Sequence, residues 1–117
     1  MKAKSRFTEA VATLIQETQD GILKWEPRLS SDELRPKLEG RIETLFVARK
    51  DPWLIRLYSY KTEDFTGSQH EVALEVSEQG KASWWRFPDE VAIWDLLDAV
   101  RFKEARVDEF IDKLVPK

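Results

Sequence analysis

The spacing of apolar and polar positions divides the chain into a leading helix, a run of strands and a helical C-terminus. Phe7, Ala10, Val11, Leu14, Ile15 and Thr18 recur at i, i+3, i+4, i+7, i+8 and i+11, one stripe of a 3.6-residue period. The spacing predicts a helix over residues 6–20. Ser5 stands at its N-cap position, and Gly21 stands where a left-handed residue would end it.

The period then changes to two. In residues 22–29, Leu23, Trp25 and Leu29 share one face, with Lys24, Glu26 and Arg28 on the other. Pro27 cannot donate to a ladder, so this strand belongs at an edge or ends there. Ser30 and Glu33 have capping-box spacing, and Pro36 limits any helix there to about one turn.

Three more alternating runs follow. Residues 41–49 place Leu45 and Val47 on one face and Ile42, Thr44 and Phe46 on the other, without marking which is inner. Residues 53–60 place Trp53, Ile55 and Leu57 opposite Leu54, Arg56, Tyr58 and Tyr60. Residues 70–77 point Val72, Leu74 and Val76 inward and Glu71, Ala73 and Glu75 outward. Turn signals at Asp51-Pro52 and Glu78-Gln79-Gly80 predict short connections and antiparallel neighbours.

The fifth run contains adjacent tryptophans, which must point to opposite faces of an extended strand. Trp85 shares parity with Phe87, and Trp84 with Arg86. The more apolar set, Trp85 and Phe87, is expected in the core, leaving Trp84 outside. Beyond Pro88, Asp89 is the expected N-cap of a helix whose stripe is Ile93, Trp94, Leu97 and Val100. A second stripe, Val107, Phe110, Ile111 and Leu114, closes the chain. It continues the same helix or forms another, with a break favoured near residues 102–107.

These elements predict an α+β fold: an N-terminal helix, a four- or five-stranded, mainly antiparallel meander, and a C-terminal helix or helix pair packed on one sheet face. The expected core is Phe7, Val11, Leu14, Ile15, Leu23, Trp25, Ile55, Leu57, Val72, Leu74, Val76, Trp85, Phe87, Ile93, Leu97, Val100, Ile111 and Leu114. At 117 residues the chain has the length of one domain, 1–117. It has no cysteine, so disulfides and thiolate metal sites are excluded. No apolar run reaches the roughly 18 residues of a membrane span, and no secretory leader is expected at the N-terminus, which makes the cytoplasm the expected compartment.

Charge is uneven. Residues 1–58 carry 11 Lys/Arg against 9 Asp/Glu, and residues 59–117 carry 8 against 13. The acidic second half argues against a nucleic-acid partner.

The composition of one sheet face changes the picture further. Arg56, Tyr58, Tyr60, Glu71, Glu75, Trp84 and Arg86 all fall on the outward set. A solvated sheet face usually carries Thr, Lys, Glu and Ser, whereas Tyr, Trp and Arg are enriched at interface hot spots. These seven residues are the expected partner-binding set of a non-catalytic protein-interaction module, including self-association into a homo-oligomer. The same residues also fit a purely structural role, through aromatic cross-strand pairs and cation–π contacts.

A second reading is an acidic inhibitor or immunity-type protein. Asp95, Asp98, Asp108, Glu109 and Asp112 on the terminal helices would mask a basic partner. An enzyme centred on His70, the single histidine, with Ser68 nearby, is the weakest reading, because a triad is set by space rather than sequence spacing. No metal or nucleotide motif is present, so no cofactor is expected.

Overall fold

The computed structural model describes residues 3–28 and 41–115. Leu29, the Ser30–Glu33 capping box and Pro36 lie outside them. The elements run α1 (Ala3–Gln19), β1 (Trp25–Pro27), β2 (Arg41–Lys50), β3 (Trp53–Asp64), β4 (Gly67–Glu78), β5 (Trp85–Arg86), α2 (Val91–Glu104) and α3 (Val107–Leu114). This is the α+β order read from the sequence. The chain divides into a helical unit, residues 1–25 and 90–117, and a sheet unit, residues 26–89. Among the described residues no helix is long and apolar enough to cross a membrane.

In the helical unit α1 packs against α2. Val11, Leu14 and Thr18 are the buried stripe of α1, and Ile93, Leu96, Leu97 and Val100 that of α2. Burying each Leu, Ile or Val contributes about 1.5–3 kcal/mol. The α2 stripe is rotated from the expected one. Leu96 replaces Trp94, which is partly exposed, so the indole stays on the outer side of the helix. Phe7, Ile15 and Trp25 are half-buried rather than core.

Helix ends differ from expectation in two places. Ser5 is inside α1, which begins at Ala3. Glu90 rather than Asp89 caps α2, with extended backbone and no side-chain cap bond. Its carboxylate instead accepts from Thr8 Oγ1 at 2.5 Å, tying the start of α2 to α1.

The break between α2 and α3 falls inside the expected window. Arg106 adopts φ 56°, ψ 43°, a left-handed conformation that ends α2 and starts α3. A non-glycine residue pays a steric penalty there. The closing hydrogen bonds, Ala105 N–H to Arg101 O at 2.9 Å and Arg106 N–H to Lys103 O at 3.1 Å, hold the bend.

The sheet order is β1-β2-β3-β4-β5. β2–β3, β3–β4 and β4–β5 are antiparallel. The β3–β4 hairpin is the spine, with registered pairs from Trp53↔Glu78 to Asp64↔Gly67. Both edge strands are short, which limits edge-to-edge pairing.

A register shift between Ile42 and Thr44 of β2 corrects the parity read from the sequence. One extra residue moves Ile42 to the face of Leu45, opposite Tyr60 and Tyr58. Ile42 and Leu45 pack there against Tyr58, Tyr60 and Ala73. On the other face Phe46 and Ala48 are buried, which settles the more enclosed side of β2.

The main departure concerns burial of β3. Ile55, Leu57 and Ser59 point one way, Arg56, Tyr58 and Tyr60 the other, and all six are buried. The face expected to meet water is therefore an interior face. The tryptophans also exchange roles. Trp85, expected in the core, is 50% exposed, whereas Trp84 is half-buried. Phe87 and Val76 are half-buried, and Ile111 and Leu114 are exposed, so these expected core residues are not core.

Candidate functional site

The seven residues singled out on the sheet lie close together because antiparallel register aligns them. Arg56 stands directly opposite Glu75, Glu75 opposite Arg86, Tyr60 opposite Glu71, and Tyr58 opposite Ala73, one diagonal step from Glu75. Diagonal neighbours on one face are within reach of long side chains.

Glu75 is the centre. Its Oε1 accepts from Arg56 Nε at 2.5 Å, and its Oε2 accepts from the Tyr58 hydroxyl at 2.9 Å. Both carboxylate oxygens are thus satisfied, the condition under which a buried ion pair is tolerated. The Arg56 guanidinium lies 4.0 Å from the centroid of the Trp84 ring, a cation–π contact that shields it further. This contact is why Trp84 turns inward. The more apolar parity set was expected inside, but the inward indole is the one that covers a buried cation.

A second group adjoins the first. The Arg86 Nη2 donates to the Tyr60 hydroxyl at 3.1 Å and to Asp89 Oδ1 at 3.2 Å. The Tyr58 and Tyr60 rings are 5.8 Å apart and tilted by 40°. Glu71 is half-buried. Six of the seven residues, all but Glu71, are linked by these hydrogen bonds and ring contacts. Arg56, Tyr58, Tyr60 and Glu75 are buried within the set, so the expectation of an exposed contact face does not hold for them.

Burial dominates the electrostatics of Tyr58, and the Glu75 charge and hydrogen bond act in the same direction. Together they push the phenol well above its ordinary range. At Arg86 burial alone would lower the pKa. The bonds to Tyr60 and Asp89 outweigh it, and the guanidinium is raised. Both groups are held in the form in which they donate hydrogen bonds. The hydrogen bonds of the cluster link β3 to β4 and to β5.

His70 occupies an exposed position on β4. Its Nδ1 lies 3.0 Å from Glu43 Oε1, and the Ser68 hydroxyl donates to Glu63 at 3.4 Å. The structure thus pairs each of Ser68 and His70 with a separate glutamate. Among the described residues no group of three His, Asp or Glu is placed to hold a metal ion.

The apolar surface missed by sequence reasoning is on α3. Val107, Phe110, Ile111 and Leu114 form the expected stripe, but no residue of α3 is buried. Phe110 is 61%, Ile111 44% and Leu114 63% exposed. The available signal was length. Eight residues beyond a left-handed break are poorly placed to share the core stripe of α2.

No family model, curated protein or solved structure matches this chain.

Proposed function

We propose that the chain is a non-catalytic protein-interaction module that self-associates through α3, with the sheet cluster acting as its internal brace. The observation that supports this is an amphipathic helix whose apolar stripe faces water. A helix of eight residues is well below the roughly 12–15 at which isolated helices become even marginally stable in water. Burying the Phe110, Ile111 and Leu114 stripe against a partner supplies what its own sequence does not.

The charge order of the helix selects the partner. Asp108 and Glu109 lie in the first turn and Lys113 in the last. When two copies lie antiparallel across a two-fold axis, Lys113 of each faces the acidic turn of the other. A parallel arrangement sets acid against acid.

Sedimentation over a range of concentrations tests the reading. The wild type is expected to shift from monomer to dimer, and Phe110→Asp with Leu114→Asp to stay monomeric, with the same melting temperature as the wild type at dilutions where both are monomers. A wild type that remains monomeric at every concentration refutes it. Lys113→Glu should weaken the dimer, and Lys113→Glu combined with Asp108→Lys and Glu109→Lys should restore it.

A further inference from the structure

We infer that the helical unit binds a small organic anion with an apolar body, in a cavity between the C-terminal ends of α1 and α2. The site is separate from the α3 stripe and does not depend on it. The cavity has a volume of about 250 Å³. Leu23, Trp25 and Val100 contribute apolar side chains to its wall, and Lys24, Lys103 and Glu104 contribute charge.

The wall is built by the way α1 ends. Gly21, at φ 76°, reverses the chain, a conformation open to glycine at little cost. The N–H groups of Ile22 and Leu23 then both bond to Glu17 O, at 2.9 and 3.0 Å. This hook returns Trp25 to the side of its own helix, where the indole Nε1 donates to Thr18 Oγ1 at 3.0 Å. The Thr18 hydroxyl, itself buried, donates to Leu14 O at 2.7 Å. With its N–H fixed, the indole is a flat aromatic wall set in place before any ligand arrives. Leu23 and Val100 are buried, so the wall residues are held by the core.

Size and charge define the ligand. An apolar cavity of about 150 Å³ accommodates benzene. The larger space here fits an aryl or branched alkyl group carrying one small polar head. Two ammonium groups against one carboxylate leave the lining one charge positive. Among the described residues, no ion pair involves Lys24 or Lys103. A ligand carboxylate satisfies them while its apolar body lies on Trp25. A few charged groups on an otherwise apolar concavity are the usual composition of a small-molecule site.

The Trp25 indole reports binding directly. In ¹H–¹⁵N spectra of the full chain, phenylacetate and isovalerate should shift the Trp25 Nε1 resonance saturably, and the neutral phenylacetamide should bind several-fold more weakly. Lys24→Gln and Lys103→Gln, both at exposed positions, should each weaken phenylacetate by up to about fivefold and leave phenylacetamide unchanged. Val100→Phe should fill the cavity and abolish binding. If that variant fails to fold, Lys24→Glu with Lys103→Glu, which leaves the core intact, should do the same for the carboxylate. The inference is overturned if no carboxylate shifts Trp25, if phenylacetamide binds as well as phenylacetate, or if the charge-reversed variant binds undiminished.

Discussion

The outward-reading face of β3 and the apolar stripe of α3 invert each other's sequence pattern. The first carries arginine and tyrosine and is buried, with Tyr58 only 1% exposed. The second carries valine, phenylalanine, isoleucine and leucine and has no buried residue. Burial follows the neighbours an element has, rather than its hydrophobicity alone. A central strand has hydrogen-bonded partners on both sides and side chains on both faces to cover. A short helix beyond a left-handed break has few neighbours within its own unit. Polar groups can then be interior when they satisfy one another, as Arg56, Glu75 and Tyr58 do, and apolar groups can be outside when nothing is beside them.

Breaking the centre of the buried cluster should have the largest effect. Glu75→Ala leaves the Arg56 charge buried without its counter-ion, and a loss of about 3–5 kcal/mol is expected in urea denaturation. Arg56→Met added to Glu75→Ala should recover most of that loss, because no uncompensated charge then remains. A double variant no more stable than Glu75→Ala alone would show that the pair is not coupled as described.

The tryptophans sharpen the comparison at the next level. Trp84→Ala removes the ring over Arg56, with about 2 kcal/mol in the cation–π contact alone. Trp85→Ala removes an edge contact with Phe87, whose ring lies 5.3 Å away, at about 1 kcal/mol. Thermal denaturation should rank Trp84→Ala as the more harmful. The reverse order would restore the parity expected from composition.

Alkaline titration probes Tyr58 more gently. An unfolded tyrosine titrates near pH 10, and the native phenol is held above that value. Below pH 10 both states keep the proton, and the contribution of the buried phenol is fully present. Above it the unfolded chain releases a proton that the native state retains, so stability falls as pH rises. Tyr58→Phe should cost about 1.5–3 kcal/mol at neutral pH, the range for hydrogen bonds to charged groups. The gap to wild type should narrow above pH 10.

The smallest stability effect is expected on α3. Phe110→Ala and Leu114→Ala should each change monomer stability by less than about 0.5 kcal/mol, as for other exposed positions. Their effect should appear in solution mass instead. A large loss of monomer stability would mean that the stripe has intramolecular partners.

Much of the architecture was legible along the chain. The 3.6-residue stripe of α1, the alternation of β3 and β4 and the stop near Arg106 each depend on local sterics and spacing, which the sequence displays directly. The candidate site was legible only as a set. Arg56, Tyr58, Glu75, Trp84 and Arg86 were correctly grouped on one face, because parity is a property of the strand itself. Their exposure was not, since alternation separates two faces without saying what covers either. The parity of Ile42 failed for a related reason, because a bulge becomes visible only once the partner strand is in place.

Local chemistry therefore determined where the helices, strands and turns of this protein lie and that Trp84 and Trp85 diverge. Tertiary structure alone decided which indole turns inward, that both faces of β3 are sealed and which stripe is left in water. Periodicity is written into consecutive residues within one element. Burial and charge pairing arise between residues far apart in sequence, such as Arg56 and Glu75, and exist only after the strands have found their register.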